Sequence, residues 1–349
     1  MKKLTKGAFA TDIHFGKKSN SQQHNEDCIN YLRWFCEQVE QEGDIDYIGF
    51  LGDWNENRSA LNVATLNYSY HGAKLINNLG LPVYFCVGNH DLYHRHTREI
   101  HSVIPFQEFS NFIVINEPTV INEIEGKALF SPYLFHDEYP TLAKYTKLPF
   151  WAGHFEFKGF VVTGYSMTMP TGPDHTLYQG PTHIISGHFH KRQTGDNIVY
   201  MGNTFPMDFS DAGDTERGMM IYDHTKQEMK FNNWTDCPKY IKTSVSRLLD
   251  GKTKMPVNAR VKCLLDIPLT FEEINELKTS FVTTYNLRDF ATEEPIEIVE
   301  ALTATELLTE VGDIAIDGID ELVIQMLQSI DTKHIDNSLL IDQYRRLKA

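Results

Sequence analysis

The chain has 349 residues, and its 41% hydrophobic content can fill the core of one large domain and a smaller one. Its formal net charge of −15 weighs against tight, unaided binding to nucleic acid, because phosphate contacts depend on clustered lysines and arginines. The sequence has no apolar run of about 18 residues, no secretory segment at its start and no CxxC pair among its five cysteines. We therefore expect a cytoplasmic protein without membrane contact, disulfides or a thiolate zinc site.

The first part of the chain alternates β-rich runs with helical patterns. A strand over Gly7–His14 precedes a helix over about Asn25–Glu42, whose apolar residues recur at three- and four-residue spacing. A second helix, Ser59–Leu79, lies between strands at Tyr47–Leu51 and Val83–Val87. This alternation predicts a sheet with helices packed against it.

Short strands dominate from Val120 onward. They are predicted at Val120–Ile124, Ala128–Tyr133, Phe150–His154, Phe160–Thr163, His183–Ser186, Ile198–Met201 and Met219–Tyr222. Two β-sheets flanked by helices fit this order better than one doubly wound sheet. The predicted fold class is therefore α/β (α+β) with two sheets.

The pattern changes again after about Asp236. A strand at Arg260–Ile267, a helix at Thr270–Thr283 with Thr270 and Glu273 in capping-box positions, and a strand at Glu297–Ala301 predict a small α+β module. Helical patterns follow from about residue 303. The predicted domains are residues 1–235, 236–302 and 303–349.

Five short motifs each follow a predicted strand and carry metal-binding side chains. They are Asp12-Ile13-His14, Gly52-Asp53, Gly88-Asn89-His90-Asp91, Gly153-His154 and Gly187-His188-Phe189-His190. A strand end is a rigid platform, and its adjoining loop can turn side chains toward a common point. On an extended strand, residues two apart point to the same side, which predicts convergence of Asp12 with His14 and of His188 with His190.

Together the motifs offer seven metal ligands: Asp12, His14, Asp53, Asn89, His154, His188 and His190. Imidazole, carboxylate and amide donors without thiolate fit manganese, iron or zinc. Two divalent cations about 3.5–4 Å apart, bridged by Asp53, could clamp a phosphate and activate a water for hydrolysis. Two such cations against two carboxylates would leave a positive centre that attracts a phosphodiester.

His90 is predicted to be a catalytic residue rather than a ligand. It would lie beside the substrate, stabilise the transition state and protonate the leaving oxygen, and Asp91 would hydrogen-bond its imidazole and favour the charged form. One motif alone would be weak evidence, whereas five in order are strong evidence for a metal site. Five histidines outside the motifs are expected at the surface or in packing: His71, His101, His136, His183 and His224.

Six basic residues follow the motifs closely and are candidates for contacts with DNA phosphates. They are Lys17, Lys18, Arg95, Arg98, Lys191 and Arg192. The alternative is that they are ordinary solvated surface.

The ordered motif set resembles the calcineurin-like metallophosphoesterase family. Within it, residues 87–91, 151–160, 186–190 and 200–206 are similar to the SbcD-type DNA-repair nucleases, which include the recombination endonuclease subunit of T-even-type phages. The motif resemblance spans about residues 7–222. By this analogy, Asp12, His14, Asp53 and His190 would hold one metal, and Asp53, Asn89, His154 and His188 the other.

The resemblance also implies an architecture and partners. It implies a four-layer α/β/β/α nuclease domain over 1–235 with a manganese pair, a DNA-capping domain over 236–302, and C-terminal helices over 303–349 that bind an ABC-type, SMC-like ATPase subunit of the SbcC type. Relatives are dimers, and they act as exonucleases on duplex DNA and endonucleases on single strands. The expected function is thus the nuclease subunit of a double-strand-break processing complex.

The segment Gly52-Asp53-Trp54-Asn55-Glu56 departs from the family pattern, in which Phe follows at the position of Asn55 and Asp or His at the position of Glu56. The metal site survives this change, whereas a second catalytic histidine is absent there. One alternative function is a phosphoesterase acting on a small molecule or a phosphoprotein with the same ligands, although the Gly-Asp-x-Val-Asp-Arg-Gly element of protein phosphatases is missing. Another is an inactive docking scaffold.

Overall fold

The structure, a computed structural model, describes residues 3–162, 168–251 and 253–294, together with Ser338, Ile341, Asp342 and Tyr344. The chain divides into two compact units, Met1–Glu294 and Pro295–Ala349. The elements that follow all belong to the first unit. The predicted strand Glu297–Ala301 and nearly all of the predicted C-terminal helices lie outside the described residues.

Among the described residues, strands alternate with α-helices at the start and end of the first unit, and between Cys86 and Lys239 strands are separated only by loops and 3-10 helices. The strands are β1 (Lys6–Ala10), β2 (Tyr47–Phe50), β3 (Val83–Cys86), β4 (Phe112–Ile115), β5 (Thr119–Ile121), β6 (Ala128–Ser131), β7 (Phe150–Gly153), β8 (His183–Ser186), β9 (Gln193–Gly195), β10 (Ile198–Tyr200), β11 (Gly218–Asp223), β12 (Glu228–Asn233), β13 (Lys239–Ser244), β14 (Ala259–Leu264) and β15 (Asp289–Glu293). The helices are α1 (Lys17–Asn20), α2 (Gln22–Glu42), α3 (Val63–Asn77), α4 (Val245–Leu249) and α5 (Phe271–Tyr285).

Two six-stranded sheets form the body of this unit. The first has the order β12-β11-β1-β2-β3-β4, and the second the order β5-β6-β7-β8-β10-β9. Strands β1 to β4 are parallel, as are β6, β7, β8 and β10. Because parallel strands are buried on both faces, they appear in the sequence as continuous apolar runs, which is why most of them were predicted.

The two sheets pack face to face through an apolar core. Phe9 and Tyr84 of the first sheet meet Phe130 and Phe150 of the second, and all four are buried. The opposite face of the first sheet is covered by α2 and α3. The outer face of the second sheet packs against two 3-10 helices, Tyr139–Tyr145 and His175–Tyr178. Four layers therefore stack in the order implied by the resemblance, with 3-10 helices in the fourth.

Helix ends are set by capping side chains. The Asn62 side chain accepts a hydrogen bond from the amide of Ala64 at 2.9 Å, so α3 begins at Val63 rather than at Ser59 as predicted. The capping box of α5 is confirmed, because Thr270 accepts from the amide of Glu273 and Glu273 accepts from the amide of Thr270.

The strand predicted at Phe160–Thr163 is wrong over its described residues. Val161 forms only an isolated bridge with Thr168. The side-chain amide of Gln193 binds both main-chain groups of Val161, accepting from its N–H at 2.8 Å and donating to its carbonyl at 2.9 Å. A side chain thus takes the place of a neighbouring strand.

A third sheet, β13-β14-β15, is parallel and has its own small core with α4 and α5. Polar contacts join it to the main body, among them the pair of Arg288 with Asp27 at 2.6 Å. A separate core favours a module in this region, and the predicted divisions at 235 and 302 stay predictions. Among the described residues, none of the helices combines the length and apolar character needed to cross a bilayer.

Candidate metal centre

The metal-binding motifs lie at the carboxyl ends of parallel strands in both sheets. The seven predicted ligands are distributed as follows: Asp12 and His14 after β1, Asp53 after β2, Asn89 after β3, His154 after β7, and His188 and His190 after β8. Because the sheets pack face to face, these strand ends meet at one edge of the sandwich. We call this the metal edge. Four of the seven side chains have an exposed fraction of 2% or less, namely Asp12, His14, Asp53 and His154.

Asp12, His14 and His190 form the first candidate metal group, with one ligand atom from each within 4.8 Å of the others. The two imidazoles face each other with 3.0 Å between their Nε2 atoms. Asp12 Oδ1 lies 3.8 Å from His14 Nε2 and 3.6 Å from His190 Nε2. Three donors therefore surround one point.

Asp53, His154 and His188 form the second candidate group. Asp53 Oδ2 lies 3.3 Å from His154 Nε2 and 3.8 Å from His14 Nε2, so one carboxylate oxygen borders both groups. Asn89 Oδ1 is 2.8 Å from His154 Nε2 and 3.0 Å from His188 Nδ1. This is the arrangement that a bridging aspartate between two cations requires.

His90 belongs to a third candidate group, with His14 and Asp53. Its amide donates to Asp53 Oδ1 at 2.8 Å, and its Nδ1 lies 3.0 Å from the main-chain carbonyl of Glu56. A carbonyl only accepts, so Nδ1 carries the proton and Nε2 is left to face the open site. Geometry alone permits His90 to be either a ligand or the acid predicted from the sequence.

Asp91 does not hold the His90 imidazole, and that prediction was wrong. Its buried carboxylate accepts from the amides of Trp54 at 3.1 Å, Asn55 at 3.0 Å and Gly88 at 3.0 Å. Asp91 therefore ties the loop after β3 to the loop after β2. Burial opposes protonation of His90 and lowers its pKa, so the favoured charged form is not supported either.

Backbone conformation, rather than extended strand geometry, makes the ligands converge. Asp12, His14, Asp53 and His188 have φ angles of 52°, 53°, 55° and 86°. Positive φ is uncommon for residues other than glycine and costs about 1–3 kcal/mol, and such strain gathers at functional sites. The expectation that alternate residues of a strand would share a side was wrong, because β1 ends at Ala10 and β8 at Ser186.

Two motif glycines are required for close approach. A Cβ on Gly187 would lie 2.6 Å from Asp12 Oδ2, and a Cβ on Gly88 would lie 2.3 Å from Asp53 Oδ1. Neither has a positive φ, so their role is to make room for the carboxylates. A larger residue at either position would displace a ligand.

Two carboxylates outside the predicted set hold ligand imidazoles from behind. Glu56 Oε2 lies 2.7 Å from His14 Nδ1, and Glu156 Oε2 lies 3.0 Å from His188 Nε2. The sequence singled out Glu56 only as a departure from the family pattern and gave Glu156 no role. Both follow a ligand closely, three residues after Asp53 and two after His154, which is the available signal.

Protonation reflects this crowding of charge. Burial opposes the charged imidazole of His14, but the nearby carboxylates of Asp12 and Glu56 outweigh it and raise its pKa to about 10. Burial likewise opposes charge on His154, and Asp53 raises its pKa to about 9. Burial, assisted by His14, lowers the pKa of His190 to about 3. In the absence of metal, His14 and His154 are therefore protonated near neutral pH. Metal binding would release these protons.

The residues present fit a pair of divalent cations. Buried and partly buried donors of imidazole, carboxylate and amide type surround two adjacent positions, and the glycines leave room for them. Glu56 and Glu156 lie behind the ligands, in addition to Asp12 and Asp53. These two glutamates add negative charge close to the centre, and Lys17 lies 3.5 Å from Glu56, so the net positive centre expected from two carboxylates stays a prediction.

The predicted DNA contacts fall into two sets. Four of the six side chains are engaged within the protein: Arg98 with Glu138 at 2.5 Å, Arg192 with Asn233 at 2.8 Å, Lys17 with Glu56 at 3.5 Å, and Lys18 with Tyr240. Burial lowers the pKa of Lys18 to about 8 and that of Arg192 to about 10. Arg95 and Lys191 are exposed and remain the better candidates.

Comparisons with known proteins find a family and several similar proteins. The family model described as calcineurin-like phosphoesterase matches residues 6–192. Exonuclease subunit 1 of Enterobacteria phage T4 is 23% identical over 231 residues, which is 64% of this chain and 67% of that protein. Among solved structures, an archaeal phosphodiesterase matches with 13% identity and a TM-score of 0.37 over 66% of this chain and 99% of its own. Pseudomonas putida nuclease MPE matches with 16% identity and a TM-score of 0.30 over 64% and 87%.

Proposed function

This chain belongs to the calcineurin-like phosphoesterase family, and we propose that it is the nuclease subunit of a DNA double-strand-break processing and recombination complex. The proposed reaction is hydrolysis of DNA phosphodiesters, as an exonuclease on duplex DNA and an endonuclease on single strands. The observation that carries the proposal is the position of Asp53 Oδ2, 3.3 Å from His154 Nε2 and 3.8 Å from His14 Nε2, between two ligand groups. Similarity to a phage exonuclease subunit supports DNA as the substrate.

Two divalent cations, which we propose to be Mn²⁺, would supply Lewis-acid activation of the phosphate and of the attacking water. Asp12, His14 and His190 would hold one and Asn89, His154 and His188 the other, with Asp53 shared. Histidine and carboxylate ligands without thiolate suit manganese.

His90 would act on the substrate from the rim of the centre. Its Nδ1 is committed to the Glu56 carbonyl, so any proton it delivers to the leaving oxygen must come from Nε2. The negative charge of a bound phosphodiester favours the charged imidazole, which is the form that can donate from Nε2. Asp91 contributes by fixing the loop that carries His90 and Asn89.

Part of the substrate attraction would come from outside the centre, because Glu56 and Glu156 add negative charge near the ligands and the whole chain carries −15. Arg95 and Lys191 are the proposed phosphate contacts within the chain. A partner would supply further positive charge. We propose an ABC-type, SMC-like ATPase subunit bound by residues 303–349, a capping role in DNA binding for residues 236–302, a homodimer, and a location in the cytoplasm of a bacterial host if the chain is phage-encoded.

The name of the T4 relative supports a multisubunit complex, since that protein is called a subunit. The main alternative is a phosphoesterase for a small molecule or a phosphoprotein, which would use the same ligands. An inactive scaffold is the weaker alternative, because every ligand position is filled.

The test is digestion of linear duplex DNA, circular single-stranded DNA and a generic phosphodiester, with and without Mn²⁺, by the wild type and by His90→Gln. Manganese-dependent cutting of DNA that disappears in the variant would support the nuclease. Cleavage of the generic ester alone would support the small-molecule alternative. No turnover despite bound metal would support the scaffold.

A further inference from the structure

Two glutamates lie behind the metal ligands, one on each side of the centre. Glu56 Oε2 is 2.7 Å from His14 Nδ1, and Glu156 Oε2 is 3.0 Å from His188 Nε2. The side chains of Glu56 and Glu156 are only 24% and 14% exposed, so neither is an ordinary solvated surface acid.

The two contacts select opposite nitrogens. The negative charge of Glu56 favours the proton of His14 on Nδ1, without an aligned hydrogen bond between them, and this leaves Nε2 for a cation, toward Asp12 and His190. The charge of Glu156 likewise favours the proton of His188 on Nε2 and leaves Nδ1, which lies 3.0 Å from Asn89 Oδ1, for the other cation. If the proton moved to the other ring nitrogen, the nitrogen that faces the cation site would be protonated and could not bind a cation.

A third imidazole ligand, His154, has a neutral partner behind it instead of a carboxylate. His154 Nδ1 lies 2.6 Å from the main-chain carbonyl of Leu51, a neutral acceptor. A carboxylate raises the basicity of an imidazole ligand more than a carbonyl does. Each candidate group therefore contains one imidazole with a charged partner, His14 in the first and His188 in the second.

We infer that Glu56 and Glu156 are positioning residues that tune different metals, Glu56 the cation of the Asp12, His14 and His190 group and Glu156 the cation of the Asp53, His154 and His188 group. This inference rests on the two-metal centre of the proposed function. Glu56 also contacts Lys17 at 3.5 Å through its other oxygen, and His136 lies 3.7 Å from the other oxygen of Glu156. Neither of these contacts involves the oxygen that faces the ligand, although Glu56 Oε2 is also 3.8 Å from His90 Nδ1.

The first experiment is a Mn²⁺ titration by calorimetry, with electron paramagnetic resonance of the loaded protein, on the wild type, Glu56→Gln and Glu156→Gln. Each variant should bind one of the two cations about 10–100-fold more weakly, the usual effect of removing an outer partner of a metal ligand. At intermediate Mn²⁺ the exchange-coupled spectrum of a manganese pair should give way to that of single ions. Glu272→Gln, at an exposed position of α5, is the matched control.

The second experiment identifies which cation each glutamate serves. The His190→Ala background removes a ligand of the first group. In this background, Glu156→Gln should weaken binding of the remaining cation, and Glu56→Gln should leave its affinity unchanged. Equal effects of both substitutions, or no effect of either in a wild type that binds two Mn²⁺, would overturn the inference. A wild type that binds no Mn²⁺ would instead overturn the proposed function. Glu56→Asp and Glu156→Asp keep the negative charge and show whether charge alone is sufficient. Circular dichroism of every variant checks that it is folded.

Discussion

The two edges of the sandwich both carry histidines, yet the histidines differ in chemistry. At the metal edge, His14 and His190 face each other and share the neighbouring carboxylate of Asp12. At the opposite edge, where β2, β7 and β8 begin, His224 lies 2.6 Å from the Tyr47 hydroxyl and His183 lies 2.9 Å from the Tyr222 hydroxyl. The same residue type is a candidate ligand at one edge and a packing residue at the other.

The difference arises from the neighbours that each strand end provides. Carboxyl ends of parallel strands lead into loops whose carboxylates and amides converge, whereas at the opposite edge the imidazoles meet aromatic rings. His224 packs 4.7 Å from the Phe150 ring and 4.8 Å from the Tyr222 ring, and burial lowers its pKa to about 4. A histidine therefore indicates a metal only together with the carboxylates around it.

The largest effect is expected from Asp53→Asn at the metal edge. Loss of the shared carboxylate should remove both cations and lower kcat/KM by roughly ten-thousandfold, or about 5 kcal/mol of transition-state stabilisation. Metal content by mass spectrometry and DNA digestion are the measurements. Retention of two tightly bound cations would show that Asp53 is not shared.

His90→Gln should lower kcat by about a thousandfold, within the range for removal of a general acid, while both cations stay bound. The measurement combines single-turnover digestion with metal analysis. Loss of a cation would place His90 among the ligands, as its group with His14 and Asp53 permits.

Phe130→Ala tests the apolar core between the two sheets, which lies between the metal edge and the opposite edge. Phe130 is fully buried, and its ring lies 5.1 Å from that of Tyr84 and 6.2 Å from that of Tyr47 across the sheet interface. The free energy of unfolding should fall by about 3–5 kcal/mol, as measured by denaturant titration. Leu177→Ala, at a position 71% exposed, is the control and should change it by less than about 0.5 kcal/mol. A small effect of Phe130→Ala would show that the interface is loosely packed.

His224→Gln tests the opposite edge through pH. The unfolded chain takes up a proton near the ordinary pKa of 6.5, whereas folded His224 does so only near 4, so folding stability falls as pH drops from 6.5 toward 4. Between pH 7.5 and pH 5 the wild type should lose about 2 kcal/mol more than the variant. Thermal unfolding at both pH values measures this difference in stability. The control is His71→Gln, at an exposed position of α3. If the stability of the wild type and of His224→Gln changed with pH in the same way, His224 would not be buried in its uncharged form.

Much of this arrangement could be predicted from the sequence, for identifiable reasons. The buried parallel strands and the convergence of the seven candidate ligands were predictable because apolar runs end directly at polar motifs, as at Leu51-Gly52-Asp53. Strands such as β12 were missed, because a strand half exposed to solvent lacks a continuous apolar run.

Contacts between distant segments were the least predictable. Arg98 was expected at DNA and instead pairs with Glu138, and Asp91 was expected at His90 and instead binds the amides of Trp54, Asn55 and Gly88. Trp54 and Asn55 lie 37 and 36 residues from Asp91, and Glu138 lies 40 residues from Arg98, too far apart for a local pattern to predict the contact. Glu156 follows His154 by two residues, but its partner His188 is also distant along the chain.

The most direct test of the two-metal centre is X-ray diffraction from crystals grown with Mn²⁺, measured for the anomalous signal of manganese. The structure predicts two anomalous peaks about 3.5–4 Å apart, on either side of the Asp53 carboxylate. A single peak, or a pair of peaks away from Asp53, would contradict it.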